Sequence, residues 1–133
     1  MGERRKFPRL YKNFKVELKR LIFPLKEQKV IETKCINISA GGLLLRVEDP
    51  FEIKDKVQVF LYILNIGKFH GSFFKVFEPV TDQKVSAIGE VVRVEKIGDG
   101  VFEIGIRFVD IYDEDWKALY NFILDEIKRN NSN

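Results

Sequence analysis

The 133-residue chain contains one cysteine, one histidine, one tryptophan and one methionine, and alanine is scarce. Each scarcity removes a class of function. A lone Cys35 excludes an internal disulfide and a cysteine-based zinc site; its place in a strand pattern reads as a small core residue. His70 would have to carry a metal centre or a Ser-His-Asp arrangement alone, and a loop histidine is the simpler reading. The chain offers no catalytic pair of carboxylates, P-loop or GxSxG, so no enzyme is expected. No run approaches the roughly 20 apolar residues of a membrane-spanning helix. The start, MGERRKFPR, is charged with no apolar segment behind it, unlike a signal peptide. A cytoplasmic location is the expectation.

Phenylalanine is plentiful, with 12 copies, and 45% of residues are apolar against 32% charged. That balance describes one soluble globular domain with an ordinary core. Abundant Phe, Val and Ile beside little Ala favour strands. The net charge of +3 is unevenly spread. Residues 1–34 carry eleven Lys/Arg against four Asp/Glu, whereas the rest carry twelve against sixteen. A basic first quarter suits an anionic ligand, and equally suits solubilising lysines on an exposed strand.

Residues 1–13 are polar and basic, and Pro8 pushes Phe7 toward extended geometry. They read as a flexible N-terminal arm outside the core, and residues 14–133 as a β-barrel with a C-terminal helix over 113–129. Phe14, Val16 and Leu18 alternate with charged residues as a half-buried strand that ends before Pro24. Further strands are expected at Val30 to Ile38, Leu43 to Val47, Val57 to Ile63, Ile88 to Val94 and Phe102 to Phe108. Gly98-Asp99-Gly100 forms the last hairpin turn. Region 65–84 is the least legible; Phe73 to Phe77 fits an extra strand or a packed loop. Asp113 can cap the helix, whose apolar stripe is Trp116, Leu119, Tyr120, Ile123, Leu124 and Ile127. Asp113, Glu114 and Asp115 suit the positive end of its dipole better than they suit a metal. The expected fold is mainly β, a six-stranded antiparallel barrel with one C-terminal α-helix packed on it.

Two short segments carry chemistry. Arg4-Arg5-Lys6-Phe7-Pro8-Arg9 holds Arg5 and Arg9 on the arm, and Asn37-Ile38-Ser39-Ala40-Gly41-Gly42 lies at a turn between strands. A guanidinium fork matches phosphate and also the O6/N7 edge of guanine. Strand alternation puts Asn37 and Ser39 on one face, where amide and hydroxyl can meet base and ribose edges. Gly42 permits close backbone approach, or a positive φ, beside a bulky planar ligand.

The order and spacing of Arg5-xxx-Arg9 and Asn37-x-Ser39-xx-Gly42 resemble the two motifs of PilZ domains. The stretch Glu103-Ile104-Gly105-Ile106-Arg107-Phe108 followed by Asp113-Glu114-Asp115 resembles that family's last strand and helix start. The resemblance implies a non-enzymatic receptor for the second messenger cyclic di-GMP, with no cofactor or metal. Arg5 and Arg9 would grip phosphates and guanine edges, and Asn37, Ser39, Gly41 and Gly42 the other side. In the family an arginine at the position of Arg4 tends to accompany two stacked, intercalated cyclic di-GMP molecules. Binding would close the arm and alter the surface offered to an unidentified protein partner. Two alternatives stand beside this reading. One is a PilZ-like adaptor that binds nucleotide poorly; the other is a single-stranded-RNA-binding barrel, which would need aromatic side chains on an outer face.

Overall fold

Alternating apolar and polar residues produce strands with one face in and one out, and six such strands close into a single antiparallel barrel. They are β1 (Lys15–Arg20), β2 (Ile31–Ser39), β3 (Gly42–Val47), β4 (Lys56–Tyr62), β5 (Lys84–Gly98) and β6 (Val101–Ile111). Around the barrel the order is β1-β2-β3-β6-β5-β4. One helix, α1 (Asp113–Asn130), follows β6. The computed structural model describes residues 6–24, 28–70, 79 and 83–131. Among them no helix is long and apolar enough to cross a membrane.

The core is filled from every strand, for example by Val16, Leu18, Leu45, Val59, Leu61 and Ile104. Cys35 is buried there, and its Sγ–H donates to the Lys12 carbonyl at 3.3 Å. Burial pushes its thiol pKa up, against a smaller lowering by backbone hydrogen bonds. Alkylation of Cys35 by iodoacetamide is therefore expected to be slow in the folded protein and fast in urea. Equal rates in the two states, followed by mass spectrometry, would contradict this burial.

Three expectations need correction, and one region left unread is filled in part. Leu10 is a core residue rather than part of a detached arm; its N–H and carbonyl bond to Ile38 at 2.8 and 3.0 Å. Burying such a side chain stabilises by about 1.5–3 kcal/mol, enough to pin the segment locally. The strand expected from Ile88 starts at Lys84 and runs to Gly98. Within the illegible region, a 3-10 turn at Ile66–Phe69 packs against α1, while the expected strand or loop at 73–77 lies outside the described residues. Finally, α1 is capped at Tyr112 with no side-chain cap bond, and Asp113 is already inside its first turn.

The buried face of α1 is also rotated from the expected stripe. Asp115, Ala118, Leu119, Phe122 and Ile123 are buried, while Leu124 is 39% exposed. Asp115 tolerates burial because the His70 ring lies 2.7 Å from its carboxylate. That contact fastens the helix start to the end of the 3-10 turn, so His70 is a loop residue with a structural bond. Trp116 and Tyr120 lie at the margin of the buried face, stacked on each other 5.3 Å apart.

Candidate functional site

The β2–β3 turn is built by its own side chains. The Gly41 N–H donates to Ser39 Oγ at 3.1 Å, the Ser39 hydroxyl donates to the Gly42 carbonyl at 3.4 Å, and the Phe108 N–H donates to the Gly41 carbonyl at 2.9 Å. Gly42 begins β3 and pairs with Arg107 of β6. Its φ is not positive, and a Cβ there would lie 2.0 Å from the Ile106 carbonyl oxygen. Of the two uses expected for this glycine, close approach is the one observed, and the neighbour is the chain's own β6 backbone.

A β-bulge aims the turn's polar groups outward. Cys35 pairs with Leu45 but Asn37 pairs with Leu44, which leaves Ile36 as an extra residue. Strict alternation would keep Cys35 and Asn37 on one face. The bulge lets Cys35 and Ile38 both point into the core while Asn37 and Ser39 line an outer cavity. A second bulge does the same on β5. Val91 pairs with Ile106 and Arg93 with Gly105, so Val92 is extra, and both Val92 and Arg93 reach that cavity.

The resulting cavity, of about 240 Å3, is lined by Arg9, Asn37, Ser39, Gly41 and Gly42 from the expected set. Leu44, Val92, Arg93, Gly105 and Arg107 are among the other residues of its wall. An adjoining cavity of about 440 Å3 shares Arg9, Ser39, Gly41 and Arg107 and adds Lys6, Phe7 and Phe108. The two form one cleft between the N-terminal segment and the barrel wall. Arg4 and Arg5 lie outside the described residues.

Among the described residues three arginines, Arg9, Arg93 and Arg107, therefore line the cleft, two of them missed by the sequence reading. Arg93 pairs with Glu95 at 2.6 Å, and Arg107 pairs with Glu90 at 3.2 Å. Lys56 at 2.6 Å and then Arg107 hold the Glu90 carboxyl below the usual carboxylate range. Asn37 is only 5% exposed, and its amide makes no hydrogen bond among the described residues. A half-filled polar wall with basic groups around it can take a ligand that has anionic groups and hydrogen-bonding edges. The alternation Ile104-Gly105-Ile106-Arg107 signals that Arg107 faces outward. Its place beside Gly42 depends on the β3–β6 pairing, which no local pattern shows.

Comparison with known proteins agrees with this architecture. No curated protein matches the chain's sequence. Among solved structures, the inhibitor of motility MotI/DgrA of Bacillus subtilis superposes with a TM-score of 0.71 at 16% identity, over 99% of this chain and 54% of that one. The PilZ domain of YcgR from Escherichia coli, solved with c-di-GMP, gives 0.64 at 12% identity, over 97% of this chain and 95% of that one. The MrkH–c-di-GMP complex of K. pneumonia gives 0.68 at 13%, over 98% and 55%. The chain thus spans about half the length of MotI/DgrA and MrkH, and nearly all of the isolated YcgR domain. At these identities the structures speak for the fold alone. The family model described as PilZ domain matches residues 3–125, nearly the whole length, and the chain belongs to the PilZ domain family.

Proposed function

We propose that this chain is a cyclic di-GMP receptor that works by ligand-driven conformational change and carries out no reaction. The observation behind this reading is the convergence of Arg9, Arg93 and Arg107 on the cavity that also exposes Asn37, Ser39, Gly41 and Gly42. Cyclic di-GMP offers two phosphates and two guanine edges, the groups a guanidinium fork recognises. The Asn37 amide, which opens onto the cavity, supplies donors and an acceptor for a base or ribose edge. Arg5 joins Arg9 as a clamp from the segment ahead of Leu10, and Arg4 stacks a second, intercalated ligand molecule. The bound arm presents a changed surface to a protein partner.

Calorimetric titration with cyclic di-GMP tests the reading, with micromolar or tighter binding expected. No heat of binding in that range would overturn it in favour of an adaptor that acts by protein contacts alone. A ratio of two ligands per chain that falls to one in Arg4→Ala is expected for the stacked pair, and an unchanged ratio would refute that part. The RNA alternative required outward aromatics. Phe60 and Tyr62 do lie on the outer face of β4, but Lys84 sits 5.3 and 5.6 Å from their ring centres and Lys15 5.0 Å from that of Tyr62. A base would have to displace these lysines to stack, so the cleft remains the better site.

Glu90 competes with a ligand for Arg107. Glu90→Gln is expected to raise cyclic di-GMP affinity about twofold to threefold. The same carboxylate has a pH signature. Because its folded pKa is depressed, its stabilising contribution is complete above about pH 4.3 and is lost as pH falls through the lowered value. Urea unfolding of wild type and Glu90→Gln across that window should converge on the acid side. A constant difference at all pH values would show that Glu90 acts otherwise.

A further inference from the structure

The turn that carries Ser39 and Gly41 is held from behind by the C-terminal helix. Trp116 donates its Nε1–H to the Ala40 carbonyl at 2.9 Å, across 76 residues of sequence. The same indole meets Phe7 edge-on, with ring centres 5.7 Å apart, and stacks on Tyr120 with an interplanar angle of 12°. Phe7 also lies edge-on to Tyr120 at 6.0 Å, and its ring comes within 3.3 Å of where a Cβ on Gly41 would sit. Two residues further on, Arg9 lines the cleft, and Leu10 is bonded to Ile38 of β2. The N-terminal segment, the β2–β3 turn and α1 thus meet at one aromatic cluster.

We infer that Trp116 is a positioning residue for the cleft, and that Phe7, Trp116 and Tyr120 couple ligand binding to the docking of α1. The inference rests on the cleft being the cyclic di-GMP site. The physical link is direct: the indole hydrogen bond orients the Ala40–Gly41 peptide, and Phe7 packs on that turn and on the helix together. A ligand that bridges Arg9 and the turn immobilises the segment carrying Phe7, which in turn holds Trp116 and Tyr120. By linkage, a docked helix must favour ligand binding by the same factor that bound ligand favours the docked helix. Each pair contributes modestly; an edge-on or stacked aromatic contact and one neutral hydrogen bond suffice to bias a helix start without deciding the fold. α1 then serves as the element through which the site's state reaches the surface.

The test compares wild type, Trp116→Phe and Phe7→Ala by calorimetry with cyclic di-GMP and by amide hydrogen exchange of residues 113–124. Trp116→Phe keeps an aromatic ring and removes only the donor. It is expected to weaken binding about fivefold to tenfold while circular dichroism shows a folded barrel. Bound ligand should slow exchange along α1 in the wild type and lose most of that effect in both variants. Emission from Trp116, the chain's one tryptophan, should change on titration with the same midpoint as the calorimetry. If wild type binds and Trp116→Phe binds equally well, with helix exchange indifferent to ligand, the coupling is overturned and the site stands. If wild type does not bind at all, the site reading falls and the coupling falls with it. A variant that only lowers thermal stability, with affinity unchanged when both proteins are folded, also overturns the positioning role.

Discussion

Arg9→Ala is expected to weaken cyclic di-GMP binding by at least tenfold, or about 1.4 kcal/mol. The magnitude follows from loss of a charge-assisted hydrogen bond to phosphate or to a guanine edge, worth about 1.5–3 kcal/mol. This substitution separates binding from folding well. Arg9 is exposed and its side chain makes no hydrogen bond or ion pair among the described residues, so the barrel has little to lose. Calorimetry should show the affinity drop while the melting temperature stays within a degree or two. Arg5→Ala is expected to behave alike if the clamp has two arms. Unchanged affinity in both variants would remove the clamp from the account, whatever the cleft then binds.

Gly42→Ala is expected to be the most damaging single-methyl change in the site. The added Cβ would fall 2.0 Å from the Ile106 carbonyl oxygen and 3.1 Å from the Arg107 Cα, both backbone atoms of the paired strand. Backbone in the middle of a closed barrel cannot move aside as a side-chain end can, so β3 and β6 must separate locally. A loss of about 3 kcal/mol is expected, a size that points to overpacking or broken pairing. For a domain of this length that is a fall of roughly 10 °C in melting temperature. Gly41→Ala is the control. Its Cβ would meet the Phe7 ring at 3.3 Å, and a side chain can give. Equal melting temperatures for the two variants would show that the β3–β6 approach is not what requires glycine at position 42.

Both predictions draw on residues that the sequence singles out, yet their reasons differ in legibility. Arg9 is recognisable from its spacing to Arg5 and from the second motif downstream, and it lines the cleft. Gly42 is recognisable as a special position, but its neighbour is not. The sequence suggests room for a ligand, whereas the structure puts the Ile106 carbonyl against it. Arg93 and Arg107 carry no motif of their own. They enter the cleft because β5 and β6 pair beside β3, more than fifty residues away in sequence from Arg107.

The helix illustrates the same limit. The stripe through Leu119 and Ile123 is plain in the sequence, and both residues are buried. Choosing which neighbours flank that stripe is another matter. An aspartate on the buried side and a leucine on the open side invert the usual preference, and the inversion is stable because His70 meets Asp115 from a turn 45 positions upstream.

By itself the sequence determined the six barrel strands and the C-terminal helix, the antiparallel barrel they make, and the motif residues Arg9, Asn37, Ser39, Gly41 and Gly42 that line the cleft. These follow from local alternation, turn residues and helix periodicity, which each segment carries without its neighbours. Only the tertiary structure decided which face of each strand end looks at the cleft. A bulge at Ile36 and another at Val92 each shift the alternation by one residue, and a one-residue shift exchanges the core face for the outer face. Whether a strand bulges is settled by packing against its partners. For that reason Asn37 points outward from the same strand that buries Cys35, and Arg93 joins the cleft beside Arg9.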